Sequence, residues 1–383
     1  MLSHGLVWFG AAISIAEILT GGLIAPLGME KGGLAIILGH GIGGVIFYLV
    51  GLIGARTKRN SMESVKLSFG QKGALFFSSL NILQLIGWTA VMVASGAAIS
   101  NSIISFKSEM VWGIVITLMI IFWIIKDIKN LNKLNMLAMV TLFILTLVLS
   151  KIIFTGTPKE IIDGGMSFGS AVELSVAMPL SWLPLISDYV WDAKKPQKAT
   201  LISSVVYFIA STWMYFIGMG AAIYAGTTDI AQIMKTAGFG MAGLLIVVLS
   251  TVTTTFLDAY SSGTSATVFS DKITEKQGGV ITCVIAFVLV MIFSTSQYES
   301  FLYLIGSVFA PMVAIQIADH FILNKNCSNR SFSKTNMLIW LGGFILYRIF
   351  MNFETVFGNT VPVMIIIMAV TVIIEKIKVR SRA

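Results

Sequence analysis

The sequence predicts an all-α integral membrane protein of about twelve transmembrane helices, folded as one polytopic domain over residues 1–383. Three observations predict it. Hydrophobic residues make up 56% of the chain and charged residues 11%, more apolar side chain than a soluble fold can hide. Apolar runs of about 20 residues, enough to cross a bilayer as a helix, succeed one another through short polar joints. Two of these runs, five spans apart, are interrupted at matching places.

The runs centre on 6–27, 33–54, 74–101, 109–125, 134–154, 169–190, 200–225, 240–264, 279–295, 298–323, 336–352 and 360–375. The third is too long for one straight crossing, so it tilts or extends past the bilayer. The first carries Glu17 mid-span, with Gly10, Gly21, Gly22 and Pro26 along its length. The sixth carries Pro179 and Pro184, with Glu173 and Asp188 near its ends. A break frees backbone N–H and C=O groups that lipid cannot satisfy, so it survives only where protein, water, ion or substrate meets them. Paired breaks in two halves point to the central site of a secondary transporter. An odd number of spans per half inverts the second half. Residues of about 6–154 and 169–323 therefore read as inverted repeats, with helices at about 336–375 appended.

The net charge of +8 is distributed by side of the membrane. Arg56, Lys58, Arg59, Lys66 and Lys72 lie between spans two and three. Lys126, Lys129 and Lys133 follow span four, and Lys194, Lys195 and Lys198 follow span six. Lys376, Lys378, Arg380 and Arg382 close the chain. The alternate loops hold only Lys31, Lys107, Lys151, Lys159 and Lys235. The positive-inside rule places both termini in the cytoplasm of a cell (inner or plasma) membrane, and no nucleic-acid partner is needed to explain the charge. Cys283 reads as a small core residue and Cys327 as a cytoplasmic loop thiol, with no disulfide framework. His4, His40 and His320 have no metal-ligand spacing. No basic stretch precedes the first apolar run, as a cleaved leader would require. The longest polar stretch, about 55–72, is too short for a soluble domain.

Two further spans carry chemistry. In the eighth, Thr251, Thr254, Thr255 and Asp258 share one helical face. Membrane threonines commonly bond their own helix or glue helices together. A cluster ending in a carboxylate at membrane depth marks a site instead. In the third, Gln84 and Trp88 are four residues apart and share a face. A mid-span Trp is not part of an interfacial belt, and an aromatic face beside an amide suits a planar heterocycle. Helix–helix packing is the alternative.

Together these residues resemble the nucleobase:cation symporter-1 family, in its cytosine permease branch. The matching stretches are Leu19–Pro26, Leu52–Lys58, Ser68–Gly70, Gln84–Trp88, Leu185–Tyr189, Thr253–Gly263 and Ile317–His320. The pattern is nearest to the hydroxymethylpyrimidine permease subgroup (CytX type). The resemblance implies a LeuT-type five-plus-five inverted repeat with two C-terminal helices. It implies Na+ held by the carbonyls of Ala11, Ser14 and Ser250 and the hydroxyls of Thr253 and Thr254. It matches Trp88 to a base-stacking aromatic, and Ser181 to a serine that hydrogen-bonds the base. The chain departs from the pattern in several places, among them Thr255-Phe256-Leu257 where the branch has Asn-Asp-Asn in span eight. Gln84 precedes Trp88 by four residues rather than three. Pro179 replaces the stacking aromatic of span six, with Trp182 as a substitute. Carboxylates stand at Glu17 and Asp258 where the branch has neutral residues.

A carboxylate can accept from the amino group and the protonated ring nitrogen of a 4-aminopyrimidine. Glu17 and Asp258 can each serve as such a ligand, as a buried acid held by span-eight hydroxyls or a helix end, or as a titrating group in proton coupling. Asp188 reads as a gate or capping residue and Glu173 as a solvated outer acid. The expected function is import of a small pyrimidine, hydroxymethylpyrimidine first, by a monomeric Na+-coupled symporter with no other cofactor. Cytosine or another nucleobase, and coupling to H+, are the alternatives. A membrane enzyme would need a carboxylate cluster, a His box or a nucleophile–base pair, and none is present in the sequence. A channel would need a repeated filter loop or a symmetric ring of subunits.

Overall fold

The computed structural model describes residues 2–126, 132–155, 165–226, 240–270, 272–291 and 298–381. The chain folds into long helices. They are α1 (Leu2–Ala12), α2 (Ile15–Leu23), α3 (Gly28–Thr57), α4 (Ser61–Ile103), α5 (Met110–Lys126), α6 (Asn132–Thr155) and α7 (Phe168–Ser181). There follow α8 (Pro196–Ala225), α9 (Gly240–Thr267), α10 (Glu275–Val290), α11 (Tyr298–Ile317), α12 (Lys334–Phe350) and α13 (Thr360–Arg380). Each apolar run of the sequence falls on one of these helices or on a bent pair. The end of the ninth run, and Lys129, Lys159, Lys235 and Arg382 among the charges, lie outside the described residues. Among the described residues, five helices are long and apolar enough to cross a membrane, and the pair α1–α2, bent by 51°, makes a sixth. Leu118, Leu137, Ile281 and Ile365 are more than half exposed, as lipid-facing side chains are.

Both expected interruptions are present. The first run breaks between Ala12 and Ile15 and ends in a 3-10 turn, Ala25–Leu27, around Pro26. The sixth run stops being α-helical two residues after Pro179 and resumes as a short 3-10 helix, Ile186–Tyr189. The polar stretch near 55–72 is more ordered than its composition suggests, because α4 begins at Ser61. Asp188 Oδ1 accepts from Ser61 N at 2.8 Å, so it caps α4, one of the two roles expected of it.

The chain divides into two compact units. The first comprises Met1–Ile37, Ile82–Met166 and Val205–Tyr298, and the second Leu38–Asn81, Ser167–Ser204 and Glu299–Ala383. Within the first, α2 and α8 meet backbone to backbone. A Cβ on Gly21 would lie 2.3 Å from the Tyr215 carbonyl oxygen, and one on Gly218 would lie 2.1 Å from that of Ile18. Small residues allow this approach, which in lipid replaces hydrophobic driving force with close packing.

Within the second unit, α3 packs on α7 in the same way. A Cβ on Gly39 would lie 2.4 Å from Ser175 Cβ, and one on Gly43 would lie 2.7 Å from Pro179 Cγ. Gly70 interrupts α4 with φ 76° and ψ −177°. The segment before α12 lies along this kink. Cys327 N donates to Leu67 O at 2.7 Å, Ser333 N to Phe69 O at 3.0 Å and Lys72 N to Ser331 O at 2.8 Å. Cys327 lies in this loop segment, as its sequence context predicts, and is buried.

Gly21→Ala forces α2 away from α8 and is expected to cost about 1–3 kcal/mol, as overpacking does. Gly41→Ala, whose Cβ would meet nothing within 4 Å, leaves stability unchanged. Thermal unfolding of the two variants in detergent checks the contrast.

Candidate functional site

The break in the first run lies within the first unit. Ser14 is extended (φ −131°, ψ 156°) and caps α2, its Oγ accepting from Glu17 N at 3.3 Å. The Ser14 carbonyl meets Ile18 N only at 3.5 Å. Across the break, Thr254 Oγ1 of α9 donates to the carbonyl of Gly10 at 3.1 Å. Thr253 Oγ1 donates to Leu249 O at 2.8 Å and lies 3.2 Å from Ser250 O. Ala11, Ser14, Ser250, Thr253 and Thr254 are all buried. Carbonyl and hydroxyl oxygens at such a place suit a small hard cation. Among the described residues, no group of three His, Cys, Asp or Glu side chains is arranged to hold a metal ion.

Glu17 is fully buried on the first turn of α2 and faces α8. Tyr207 OH donates to Oε1 at 2.9 Å and Ser211 Oγ to Oε2 at 2.7 Å. Both carboxyl oxygens are therefore engaged by protein. Of the roles open to it in the sequence, this geometry is that of a buried acid held by hydroxyls, and the hydroxyls come from span seven rather than span eight. A signal for them was present. Tyr207, Ser211 and Tyr215 are spaced four apart and share one face of an apolar helix.

Trp88 and Gln84 are buried on α4. Trp88 packs edge-on against Tyr298, with ring centroids 5.9 Å apart and an interplanar angle of 77°. Asp258 is 4% exposed on α9, one helical turn from Thr254. No described residue hydrogen-bonds its carboxyl. Thr251 and Thr255, on the same face, are fully buried with hydroxyls that find no hydrogen-bond partner among the described residues.

Pro179, Ser181 and Trp182 belong to the second unit. Ser181 Oγ donates to Met178 O at 2.7 Å, and Trp182 caps α7, both buried. Glu173 corrects the reading of a solvated outer acid, because it is fully buried. Its Oε2 accepts from the backbone N–H groups of Asn359 (2.6 Å) and Thr360 (2.8 Å). Its Oε1 accepts from Thr360 Oγ1 at 2.7 Å and from Tyr347 OH. The carboxylate thus caps the N-terminus of α13, where the helix dipole favours negative charge.

Comparison with known proteins places this architecture. The family described as permease for cytosine/purines, uracil, thiamine and allantoin matches residues 4–379. The cytosine permease of Escherichia coli, found in three strains, is 23% identical over 347 residues, covering 88% of this chain and 81% of its own. Among solved structures, Mhp1, a nucleobase-cation-symport-1 family transporter in a closed conformation with bromovinylhydantoin bound, superposes with a TM-score of 0.83. It is 18% identical, over 99% of this chain and 92% of that one. The inward-facing conformation of Mhp1 gives 0.77 at 17% identity, over 99% and 90%. A substrate-bound, outward-open Na+-coupled sialic acid symporter gives 0.72 at 13% identity, over 97% and 87%. The fold is therefore of the LeuT type.

Glu17→Ala removes the carboxyl acceptor of two buried hydroxyls and is expected to destabilise the protein by about 1–3 kcal/mol. Glu17→Gln keeps an acceptor and unfolds closer to wild type. Thermal unfolding of the pair measures this, and equal losses in both would show that the negative charge rather than hydrogen bonding matters.

Proposed function

We propose that this chain, which belongs to the family of permeases for cytosine/purines, uracil, thiamine and allantoin, imports an aminopyrimidine, hydroxymethylpyrimidine first, by symport with Na+. It is a multi-pass membrane protein, and the charge asymmetry of its loops favours a cell membrane with both termini in the cytoplasm. The observation that carries the reading is the contact of Thr254 with the Gly10 carbonyl across the break. It brings a hydroxyl of span eight to the backbone freed in span one, beside Ala11 and Ser14. A cation bound by Ala11, Ser14, Ser250, Thr253 and Thr254 would tie α9 to both halves of the broken helix. Ion binding and the arrangement of the substrate site are then linked.

For the substrate, the Trp88 ring offers a stacking face and Gln84 an amide on the same side of α4. Glu17 is turned to α8, so Asp258 is the carboxylate left for the amino group and ring nitrogen. An acid at membrane depth without a protein partner is costly, and a cationic or donor-bearing ligand offsets that cost. Pro179, Ser181 and Trp182 stand at the end of α7, the second interrupted span, and are the substrate residues proposed within the second unit. Cytosine is the second reading, favoured by the Escherichia coli relatives. The protein acts as a monomer in this reading.

Purified protein is expected to bind hydroxymethylpyrimidine more tightly in sodium than in sodium-free buffer, with cytosine a poor competitor. Thr254→Ala should remove the sodium dependence. Indifference of the parent to sodium would overturn the coupling, and tighter binding of cytosine would overturn the substrate. Asp258→Asn loses a charge-assisted contact and should weaken binding by about tenfold or more while leaving thermal stability near wild type.

A further inference from the structure

α11 opens with Tyr298. Tyr298 groups with the first unit, whereas the chain from Glu299 onward groups with the second. Its ring is buried and meets Trp88 edge to face. Its hydroxyl lies 2.9 Å from Thr20 Oγ1 and 3.3 Å from the Ala16 carbonyl, to which it donates. Thr20 Oγ1 itself donates to Ala16 O at 2.7 Å. Thr20 and Tyr298 carry one hydroxyl proton each, so with the Thr20 proton on that carbonyl the phenol shares its single proton between Thr20 Oγ1 and Ala16 O. One side chain thus joins the stacking face of α4 to the half of the broken helix that carries Glu17.

We infer that Tyr298 is a positioning residue of the substrate site, holding the Trp88 ring and closing it against α2. The inference rests on the reading of Trp88 as the aromatic face for a planar substrate. Edge-to-face packing leaves Trp88 one fixed orientation, which a stacked heterocycle requires. The hydroxyl contacts are made to a helix that starts only at Ile15, so the anchor for the ring is the short segment beyond the break. Movement of α2 about the break would therefore be transmitted to Trp88 through two polar contacts and one ring contact. A Phe keeps the ring contact and loses both polar ones. A Val at position 20 removes the opposite partner and leaves the Tyr.

The test separates this role from the choice of substrate. In protein carrying Trp88→Cys, with Cys283 and Cys327 replaced by Ala, the rate of maleimide labelling reports how far Tyr298, anchored on α2, closes off position 88 without any ligand, and the binding measurements below report its hold on the Trp88 ring. Tyr298→Phe is expected to raise that rate by about threefold to tenfold, Thr20→Val to raise it by less because the Ala16 contact remains, and the double variant to go no further than Tyr298→Phe. Unchanged rates in both single variants would overturn the inference. With Trp88 intact, Tyr298→Phe should hold hydroxymethylpyrimidine within about threefold of the parent but release it faster, whereas Tyr298→Ala should bind it more than about tenfold more weakly. Equal affinity in the parent and Tyr298→Ala would also overturn it. A parent that binds no pyrimidine, with the labelling shifts present, would refute the proposed substrate and leave the role of Tyr298 standing.

Discussion

A helix broken inside a membrane must have its freed backbone groups met by something other than lipid, and the first unit is organised by that requirement. The break between Ala12 and Ile15 is closed from three directions. Ser14 caps the new helix from within. Thr254 reaches the Gly10 carbonyl from α9. Close backbone packing of α2 on α8, at Gly21 and Gly218, fixes the far half of the span. Groups that accept and donate at such a break are also those that can hold an ion or a polar solute. A permease can therefore place its site there without a separate cavity wall of charged residues.

The buried acids divide by what surrounds them. Glu17 and Glu173 are both fully buried and both have every oxygen engaged, the first by hydroxyls of one neighbouring helix and the second by a helix N-terminus with two hydroxyls. Each fastens one part of an interrupted span, Glu17 after the break in the first and Glu173 before the break in the sixth. Asp258 is buried without such partners among the described residues and sits on the threonine face that touches the broken helix. Burial alone thus does not distinguish a structural acid from a candidate ligand. The inventory of donors around it does.

Several stretches that carried the family resemblance serve architecture. The Ser68–Gly70 stretch holds a kink at φ 76°, where a Cβ on Gly70 would lie 2.7 Å from the Arg330 carbonyl. Asp319, in the stretch ending span ten, accepts from Asn336 Nδ2 at 2.7 Å, and the same amide donates to Ser68 O at 2.7 Å. Lys325 adds an ion pair to Glu375 at 3.1 Å. Three segments distant in sequence are joined within the second unit by this set of contacts. A motif can therefore mark a family through a backbone constraint as readily as through a ligand.

Composition, run length and the placing of Gly and Pro determined by themselves that the chain is a helical membrane protein with two interrupted spans. These signals are local: a run of about 20 apolar residues has few alternatives to a helix, and Pro179, in the last turn of α7, removes a backbone donor from it. The polar face of α9 was legible for the same reason, since Thr251, Thr254, Thr255 and Asp258 follow the helical period. Only the tertiary structure decided which face each polar group meets. Glu17 looked equally fit for a substrate and for a protein partner until α8 was seen to place Tyr207 and Ser211 against it. Glu173 looked solvated until Asn359 and Thr360, far along the chain, were found beneath it. Tyr298 carried no local signal at all, being one aromatic at the start of an apolar run. Its contacts with Trp88 and Thr20 span more than 200 residues of sequence. Partner choice between distant helices depends on how they pack, and periodicity within one helix carries no information about it.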